Sequence, residues 1–286
     1  MTIIDSVSAF VQQISELNEG LLRDGELHNE ILLFRGQSDE KFELLPSIAR
    51  NKNFLLQERN LIEMAKYRLP DVFKNSFSPV ELLALLQHHG IPTRLLDVTE
   101  NALVALYFAC AENSNTAGEV IVFKENELDV VNYPIVDAIA DSYRFVRTSY
   151  RTLETFYATI KNQPYFLEQS QATNRCYKTD KDGGEWISEC CKTPFFIYAP
   201  IRTQRQQAQS GRYILFPNDI DYRYQSFVPM ISGMPKEHEC IIEKILIKND
   251  NKKKVLSELA LFGVSRRTLF CDNIDIICES IREQFG

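Results

Sequence analysis

The chain has 286 residues and a formal net charge of −7, with 44% hydrophobic and 25% charged residues. This length predicts one large domain or two small ones with a sizeable core, and the acidic balance argues against general affinity for nucleic acids or anionic membranes. No apolar run approaches the roughly 20 residues of a transmembrane helix, and no signal peptide opens the chain, so we expect a cytoplasmic protein without a membrane partner.

The first third of the chain alternates helical and extended patterns. Apolar residues recur at helical spacing between positions 7 and 21, which predicts an amphipathic helix within an N-terminal helical segment over residues 1–30. The apolar run at 31–34 predicts a buried strand. A further helix is predicted at 55–69, where Pro70 would stop it.

The best-defined helix start lies at Ser78. Ser78 and Glu81 have the spacing of a capping box, and Pro79 suits the first helical position. Gly90 is expected to end this helix. An extended stretch at 93–98 follows.

A second helix is expected after that stretch. Thr99 or Asn101 would cap a helix over about 102–111, and a strand is predicted at 118–123. Residues 124–193 are interpreted as an insertion, in which 178–185 form an exposed loop.

The last third of the chain adds strands and helices to the same predicted domain. Strands are predicted at 195–198, 213–216 and 240–247, and helices at 252–262, ended by Gly263, and at 272–282. No repeat or low-complexity linker divides the chain. The sequence therefore predicts a single α+β domain with a mainly β centre flanked by helices.

Arg35 directly follows four apolar residues in the segment Phe34-Arg35-Gly36-Gln37. At the end of a buried strand, its guanidinium must reach a cleft or incur a large cost of burial. Gly36 would permit close approach by a ligand, and the arginine fork suits phosphate or carboxylate. The alternative is an internal salt bridge to Asp97 or Glu43.

A second polar cluster lies around residues 87–99. Arg94 and Asp97 sit on the strand that leads to a helix N-terminus, where Thr99 would add a hydroxyl to the free N–H groups that bind anions. The alternative reading has His89 holding the turn and Asp97 pairing with Arg94. A metal site is not predicted, because the chain has only four histidines and neighbouring ones do not readily share one ion.

The third polar segment precedes the strand at 213–216. Three arginines alternate with four glutamines around Gly211: Arg202, Arg205, Arg212, Gln204, Gln206, Gln207 and Gln209. Such donors suit the phosphates and ribose of a nucleotide or a nucleic-acid backbone, and the alternative is a solvated loop. No phosphate-loop, dinucleotide or nucleophile-elbow motif occurs.

These three segments together resemble the FRG-domain family, named for its Phe-Arg-Gly tripeptide. The resemblance runs from about residue 31 to about 281, so we expect an FRG domain over 31–286 that contains the insertion at 124–193. The segments that carry it are Phe34-Arg35-Gly36-Gln37, residues 87–109 and residues 205–213.

In order and spacing, the same segments are similar to the NAD-binding elements of the ADP-ribosyltransferase superfamily. This similarity implies that Arg35 holds the NAD phosphates, Thr99 and the following helix N-terminus contact the nicotinamide ribose, and Gln209 occupies the catalytic position opposite. The NAD-binding residues implied are Arg35, Gly36, Gln37, His89, Thr93, Arg94, Asp97, Arg205 and Gln207. Asp97 and Thr99 stand where two serines are usual, and Gln209 replaces a catalytic Glu that stabilises positive charge on the ribose.

The implied function is nucleotide binding, with ADP-ribosyl transfer or NAD hydrolysis if the protein is an enzyme. The resemblance suggests a toxin, an effector or a phage-defence protein, and leaves the acceptor macromolecule and the oligomeric state open. Glu239 or Glu243 could supply a carboxylate if Gln209 does not. The alternatives are a non-catalytic module that senses a nucleotide or nucleic acid, and a partner-binding domain that uses the insertion.

Overall fold

A computed structural model describes most of the chain. The ranges covered are 2–23, 30–112, 115–126, 134–145, 152–167 and 177–273, with residues 276, 278 and 282 beyond them. Within these ranges, no helix combines the length and the apolar character needed to cross a membrane.

In the described part of the chain, seven strands form one mixed central sheet. They are β1 (Thr2–Ile4), β2 (Glu30–Gln37), β3 (Leu95–Thr99), β4 (Gly118–Asn126), β5 (Phe195–Ile197), β6 (Gly211–Leu215) and β9 (Ile241–Ile247), while β7 (Ile220–Asp221) and β8 (Ser226–Phe227) pair separately. The spatial order is β1-β9-β4-β2-β3-β6-β5. Only β1 and β9 run parallel, and the remaining neighbours are antiparallel. The predicted mixture of helices around a β centre is confirmed.

Helices surround this sheet. They are α1 (Val7–Arg23), α2 (Lys52–Leu56), α3 (Glu58–Arg68), α4 (Pro79–His88), α5 (Ala102–Cys110), α6 (Pro134–Ala140), α7 (Leu153–Ile160), α8 (Asp180–Cys190), α9 (Gln204–Ala208), α10 (Asn249–Leu261) and α11 (Arg266–Leu269). The predicted capping box of α4 is present, because Ser78 Oγ accepts from the main chain of Glu81 and the Glu81 carboxylate accepts from that of Ser78. Asn101, rather than Thr99, caps α5.

Apolar side chains cover both faces of the sheet. Helices α1, α5 and α10 pack on one face, and a second cluster around Leu33, Ile121 and Ile214 fills the other. Helix α5 lies unusually close to β2, because a Cβ on Gly36 would stand 1.7 Å from the main-chain oxygen of Ala105. A third cluster joins α3, α4, α6, α7 and α8 beside the sheet.

The segment at 178–185 is largely helical. The exposed loop predicted at 178–185 is wrong, because helix α8 begins at Asp180 with Thr179 as its cap. Its paired glycines are packing residues: a Cβ on Gly183 would meet the Tyr157 ring at 2.2 Å, and one on Gly184 would meet the main-chain nitrogen of Glu154 at 2.8 Å. The helix predicted at 272–282 lies largely outside the described residues.

Candidate functional site: a cleft where two strands separate

The central strands β2 and β3 pair at a single position, Phe34 opposite Thr99, whereas β2 pairs with β4 along its whole length. A cleft of about 240 Å³ is lined by residues of β2 and β3 at this separation. Its other walls come from the end of α4, from α5, from the segment around α9 and from β6. Because β2 and β3 separate beyond this one pair, a pocket forms between two central strands of the sheet.

Arg35 reaches across the separation. Its Nη1 donates a 2.6 Å hydrogen bond to the main-chain oxygen of Asp97. Its Nε is buried and has no hydrogen-bond partner among the described residues. Burial lowers the pKa of Arg35 to about 10, an effect that Asp97 opposes and Arg50 reinforces, so the side chain is still a cation at neutral pH. The salt bridge to the carboxylate of Asp97 or Glu43 is not formed.

Thr99 and Gln209 meet at the same cleft. The Thr99 hydroxyl donates to the main-chain oxygen of Gln209 at 2.6 Å and accepts from the main-chain nitrogen of Asn101 at 2.9 Å. The Gln209 amide donates to the main-chain oxygen of Leu269 at 3.0 Å. Arg35, Thr99 and Gln209 thus line one cavity although they lie far apart in the sequence.

Two further side chains from the end of α4 line the cleft without having been assigned from the sequence. Gln87 donates to Asp97 Oδ1 at 2.7 Å. His88 Nδ1 lies 3.4 Å from the Thr203 hydroxyl, and its Nε2 lies 3.6 Å from Asp272 Oδ2. Burial lowers the pKa of His88; Asp272 acts in the opposite direction. Both residues belong to the polar 87–99 segment, and that membership is the feature of the sequence that could have assigned them to the site.

The α9 segment adds a second cation. Arg205 lines the cleft with its guanidinium 4.4 Å from the centre of the Phe270 ring, and it forms no ion pair with any described residue. Gln206 is buried and donates to the Tyr213 hydroxyl at 2.9 Å. Asp97 supplies the one carboxylate of the lining in the described part of the chain. Two arginines against one aspartate favour an anionic ligand.

Arg94 lies outside the cleft. Its side chain is 1% exposed and binds the Glu58 carboxylate through two parallel contacts, Nε to Oε1 at 2.8 Å and Nη2 to Oε2 at 2.5 Å. Its Nη1 donates to Asn218 and to the main chain of Phe216. The predicted pairing of Arg94 with Asp97 is therefore wrong. This arginine instead connects α3 to the segment at 216–218 that follows β6.

Of the other predicted NAD-binding residues, two are buried in the protein interior and two lie on its surface. Gln37 is buried and donates to Glu119 at 2.9 Å, and Thr93 donates to Gln87 at 2.5 Å behind the cleft. His89 is exposed with its ring perpendicular to that of Phe73, and Gln207 is exposed.

Gly36 lines the cleft, but its missing side chain makes room for α5. Neither carboxylate suggested as a substitute for Gln209 lines this cleft. Glu243 lies on β9, which β4 separates from β2, and Glu239 lines a different cavity.

A comparison with family models decides the classification. Residues 30–118 match the FRG domain. This chain contains an FRG domain. The match includes the Phe34-Arg35-Gly36 tripeptide and the 87–109 segment, and it ends before the arginine- and glutamine-rich segment at 202–212. The extension of the domain to residue 286 stays a prediction. No curated protein and no solved structure matches the chain.

Proposed function

We propose that this FRG-domain protein binds NAD or a related nucleotide in the cleft between β2 and β3. The observation that carries the proposal is the meeting of Arg35, Thr99 and Gln209 at one cavity from three separate segments. Among the described residues, the buried Arg35 Nε has no hydrogen-bond partner and Arg205 has no ion pair, so both cations are available to phosphate oxygens.

The size of the cleft limits how a dinucleotide would sit. Pockets for small molecules commonly have about 300–1,000 Å³, and this cavity of about 240 Å³ is smaller. One end of NAD would therefore be enclosed while the rest contacts the protein surface. Arg35 and Arg205 would hold the phosphates, and the Thr99 region would contact the nicotinamide ribose.

The proposed reaction, if the protein is an enzyme, is transfer of ADP-ribose to an acceptor macromolecule or hydrolysis of NAD, in the manner of toxins or phage-defence proteins. Both reactions develop positive charge on the ribose, which a carboxylate stabilises better than an amide. Gln209 is neutral, and its amide is engaged by Leu269. This contact favours the second candidate function, a cytoplasmic nucleotide sensor that binds without catalysis.

Thermal unfolding with NAD, ADP-ribose and adenine nucleotides tests the proposal. A ligand at about 100 times its Kd should stabilise the protein by about 2.7 kcal/mol. Arg35→Ala should lose the shift, whereas Arg223→Ala should keep it because Arg223 lies exposed in the turn between β7 and β8. If millimolar concentrations of none of these nucleotides shift the wild-type Tm, the domain is a partner-binding module.

A further inference from the structure

Three soft side chains meet in the loop that leads into β9. Cys240 Sγ lies 3.0 Å from His238 Nδ1 and 4.0 Å from Met234 Sδ. The main-chain nitrogen of Cys240 also donates to His238 Nδ1 at 3.3 Å, so this ring nitrogen is the unprotonated one, and an ion that binds its lone pair would replace this long hydrogen bond. We propose that Met234, His238 and Cys240 form a binding site for a soft monovalent metal ion of the Cu(I) type.

The separations suit one ion. Metal–sulfur bonds of about 2.3 Å and metal–nitrogen bonds of about 2.0 Å place two ligand atoms of the same ion roughly 3–4 Å apart. With such bonds, the 4.0 Å between the two sulfur atoms corresponds to an angle of roughly 120° at the ion, and the 3.0 Å between Cys240 Sγ and His238 Nδ1 corresponds to roughly 90°. Both separations lie in the range for two ligands of one ion, so the donors would form a distorted three-coordinate site with two sulfur ligands and one nitrogen ligand.

The chemistry of the donors selects the ion. Thiolate and thioether ligands prefer Cu(I), and hard cations such as Mg²⁺ and Ca²⁺ prefer oxygen. In the described ranges, no three His, Cys, Asp or Glu side chains are grouped so that they could hold a metal. The set reaches three ligands only through the Met234 thioether, which is a poor ligand for Zn²⁺ and a good one for Cu(I).

Met234 and Cys240 are anchored by main-chain hydrogen bonds to neighbouring segments. Met234 is 4% exposed, and its main-chain nitrogen donates to the Leu44 oxygen at 3.0 Å. The main-chain oxygen of Cys240 accepts from the nitrogen of Lys124 on β4 at 2.8 Å. The main chain at Met234 and at Cys240 is therefore held in place without an ion.

An approach for the cation lies beside the cluster. A cavity of about 440 Å³ is lined by His238 and Cys240 together with three carboxylates and one lysine: Glu30, Glu125, Glu239 and Lys124. The excess of negative charge attracts a cation. This cavity shares no lining residue with the cleft between β2 and β3.

A catalytic Cys–His pair is the competing interpretation of these residues. Nucleophilic cysteines lie in electropositive surroundings, whereas three carboxylates and one lysine line the cavity beside Cys240. These surroundings favour a bound cation over a nucleophilic cysteine.

Anaerobic titration with Cu(I), buffered by a chromogenic chelator, tests the site on the whole chain. Wild type should bind one equivalent that Cys240→Ser does not bind, and Met234→Leu should weaken this binding at least about tenfold. Met230→Leu, an exposed methionine of the same region, and Cys278→Ser, an exposed cysteine, are the matched controls and should bind as wild type does.

X-ray absorption of the bound copper gives a readout that a structural role would not produce. We expect two sulfur atoms and one nitrogen atom around the ion in wild type, and one sulfur fewer in Met234→Leu. Met234→Leu conserves volume, so a Tm close to that of wild type shows that it folds. Cu(I) binding that is equal in Met234→Leu and Met230→Leu, or a stoichiometry unchanged by Cys240→Ser, would overturn the proposal.

Discussion

The Thr99 hydroxyl donates a 2.6 Å hydrogen bond to the main-chain oxygen of Gln209, which joins two polar segments 110 residues apart. Because Thr99 is only 5% exposed, this bond is shielded from water. It ties β3 to the turn between α9 and β6, where Gln209 lies. The shape of the cleft therefore depends on a contact between the segment inside the FRG match and the segment beyond it.

Removing this hydroxyl should weaken both the fold and the site. Thr99→Val keeps the shape but leaves the Gln209 oxygen and the Asn101 nitrogen unpaired, so the free energy of unfolding should fall by about 1–3 kcal/mol. Thr99→Ser retains the hydroxyl and serves as the control. Urea denaturation gives the stability, and a parallel NAD titration should show weaker binding by Thr99→Val. Equal unfolding midpoints for the two variants would contradict this role.

Arg35→Lys keeps the positive charge but loses the arginine fork. Lysine cannot bond the Asp97 oxygen and a phosphate with fixed parallel donors, so nucleotide affinity should fall at least about tenfold while the fold survives. Isothermal titration measures the affinity, and Arg223→Lys at an exposed position provides the matched control. An Arg35→Lys protein that unfolds, together with a wild type that binds no anion, would assign Arg35 to the fold.

The substitution Gln209→Glu tests the catalytic alternative. A carboxylate loses the donor that now binds the Leu269 oxygen, so repulsion between two acceptors should turn the side chain away from Leu269. In the cleft it would face the developing positive charge, where one well-placed group lowers the barrier by about 3–4 kcal/mol. Release of nicotinamide from NAD should rise in Gln209→Glu and fall in Gln209→Ala.

Arg35→Ala gives the background rate for that assay. If wild type and Gln209→Glu both release nicotinamide at the background rate while NAD still binds, the protein is a sensor. If Gln209→Ala equals an active wild type, position 209 plays no part in the chemistry.

Breaking the buried pair of Arg94 and Glu58 should destabilise the protein strongly. Glu58→Gln leaves a buried guanidinium without its counter-ion, which typically costs about 3–5 kcal/mol. The pair of Arg202 and Glu81 offers a comparison, because Arg202 is exposed and Arg202→Gln should change stability by less than about 1 kcal/mol. Chemical denaturation measures the free energy of unfolding of both variants. Similar decreases in the two would show that the buried pair contributes no more to stability than the pair of Arg202 and Glu81.

Asp141 should make stability depend on pH. Burial raises the pKa of this carboxyl from 3.8 to about 6, although Arg144 and Tyr165 act in the opposite direction. The folded state therefore holds the proton more tightly than the unfolded state, and the free energy of unfolding should fall as pH rises from about 4 to 6. Above that range the loss should be constant, at most about 3 kcal/mol.

The variant Asp141→Asn removes this titration. Its stability relative to wild type should increase between pH 4 and pH 6 and then level off, as measured by urea denaturation at fixed pH values. A difference that does not vary with pH would show that the carboxyl titrates alike in the folded and unfolded states.

The sequence predicted those features that depend on neighbours along the chain. The start and end of α4 followed from Ser78, Glu81 and Gly90, and the first half of β2 followed from the four apolar residues at 31–34. The pattern did not show that β2 continues through Arg35 to Gln37. That extension depends on main-chain pairing with β4, which is indifferent to polar side chains.

The partners of charged side chains were less predictable. Arg94 and Asp97 are three residues apart in an extended segment, so their side chains point to opposite faces, and Glu58 became the partner of Arg94. The roles of Gln87 and Gln206 depend on Asp97 and Tyr213, which the fold brings to them. The loop predicted around Gly183 failed because glycine there permits close packing of helices as well as turns.

The parallel pairing of β1 with β9 sets an order for the synthesis of this protein. Ile4 pairs with Ile247, so β1 stays without its partner while some 240 residues are translated. At ribosomal rates of about 5–20 residues per second, that interval lasts roughly 12–50 s. During this time β1 and the apolar face of α1 remain uncovered by β9 and α10, and chaperones have access to them until the last strand of the sheet leaves the ribosome.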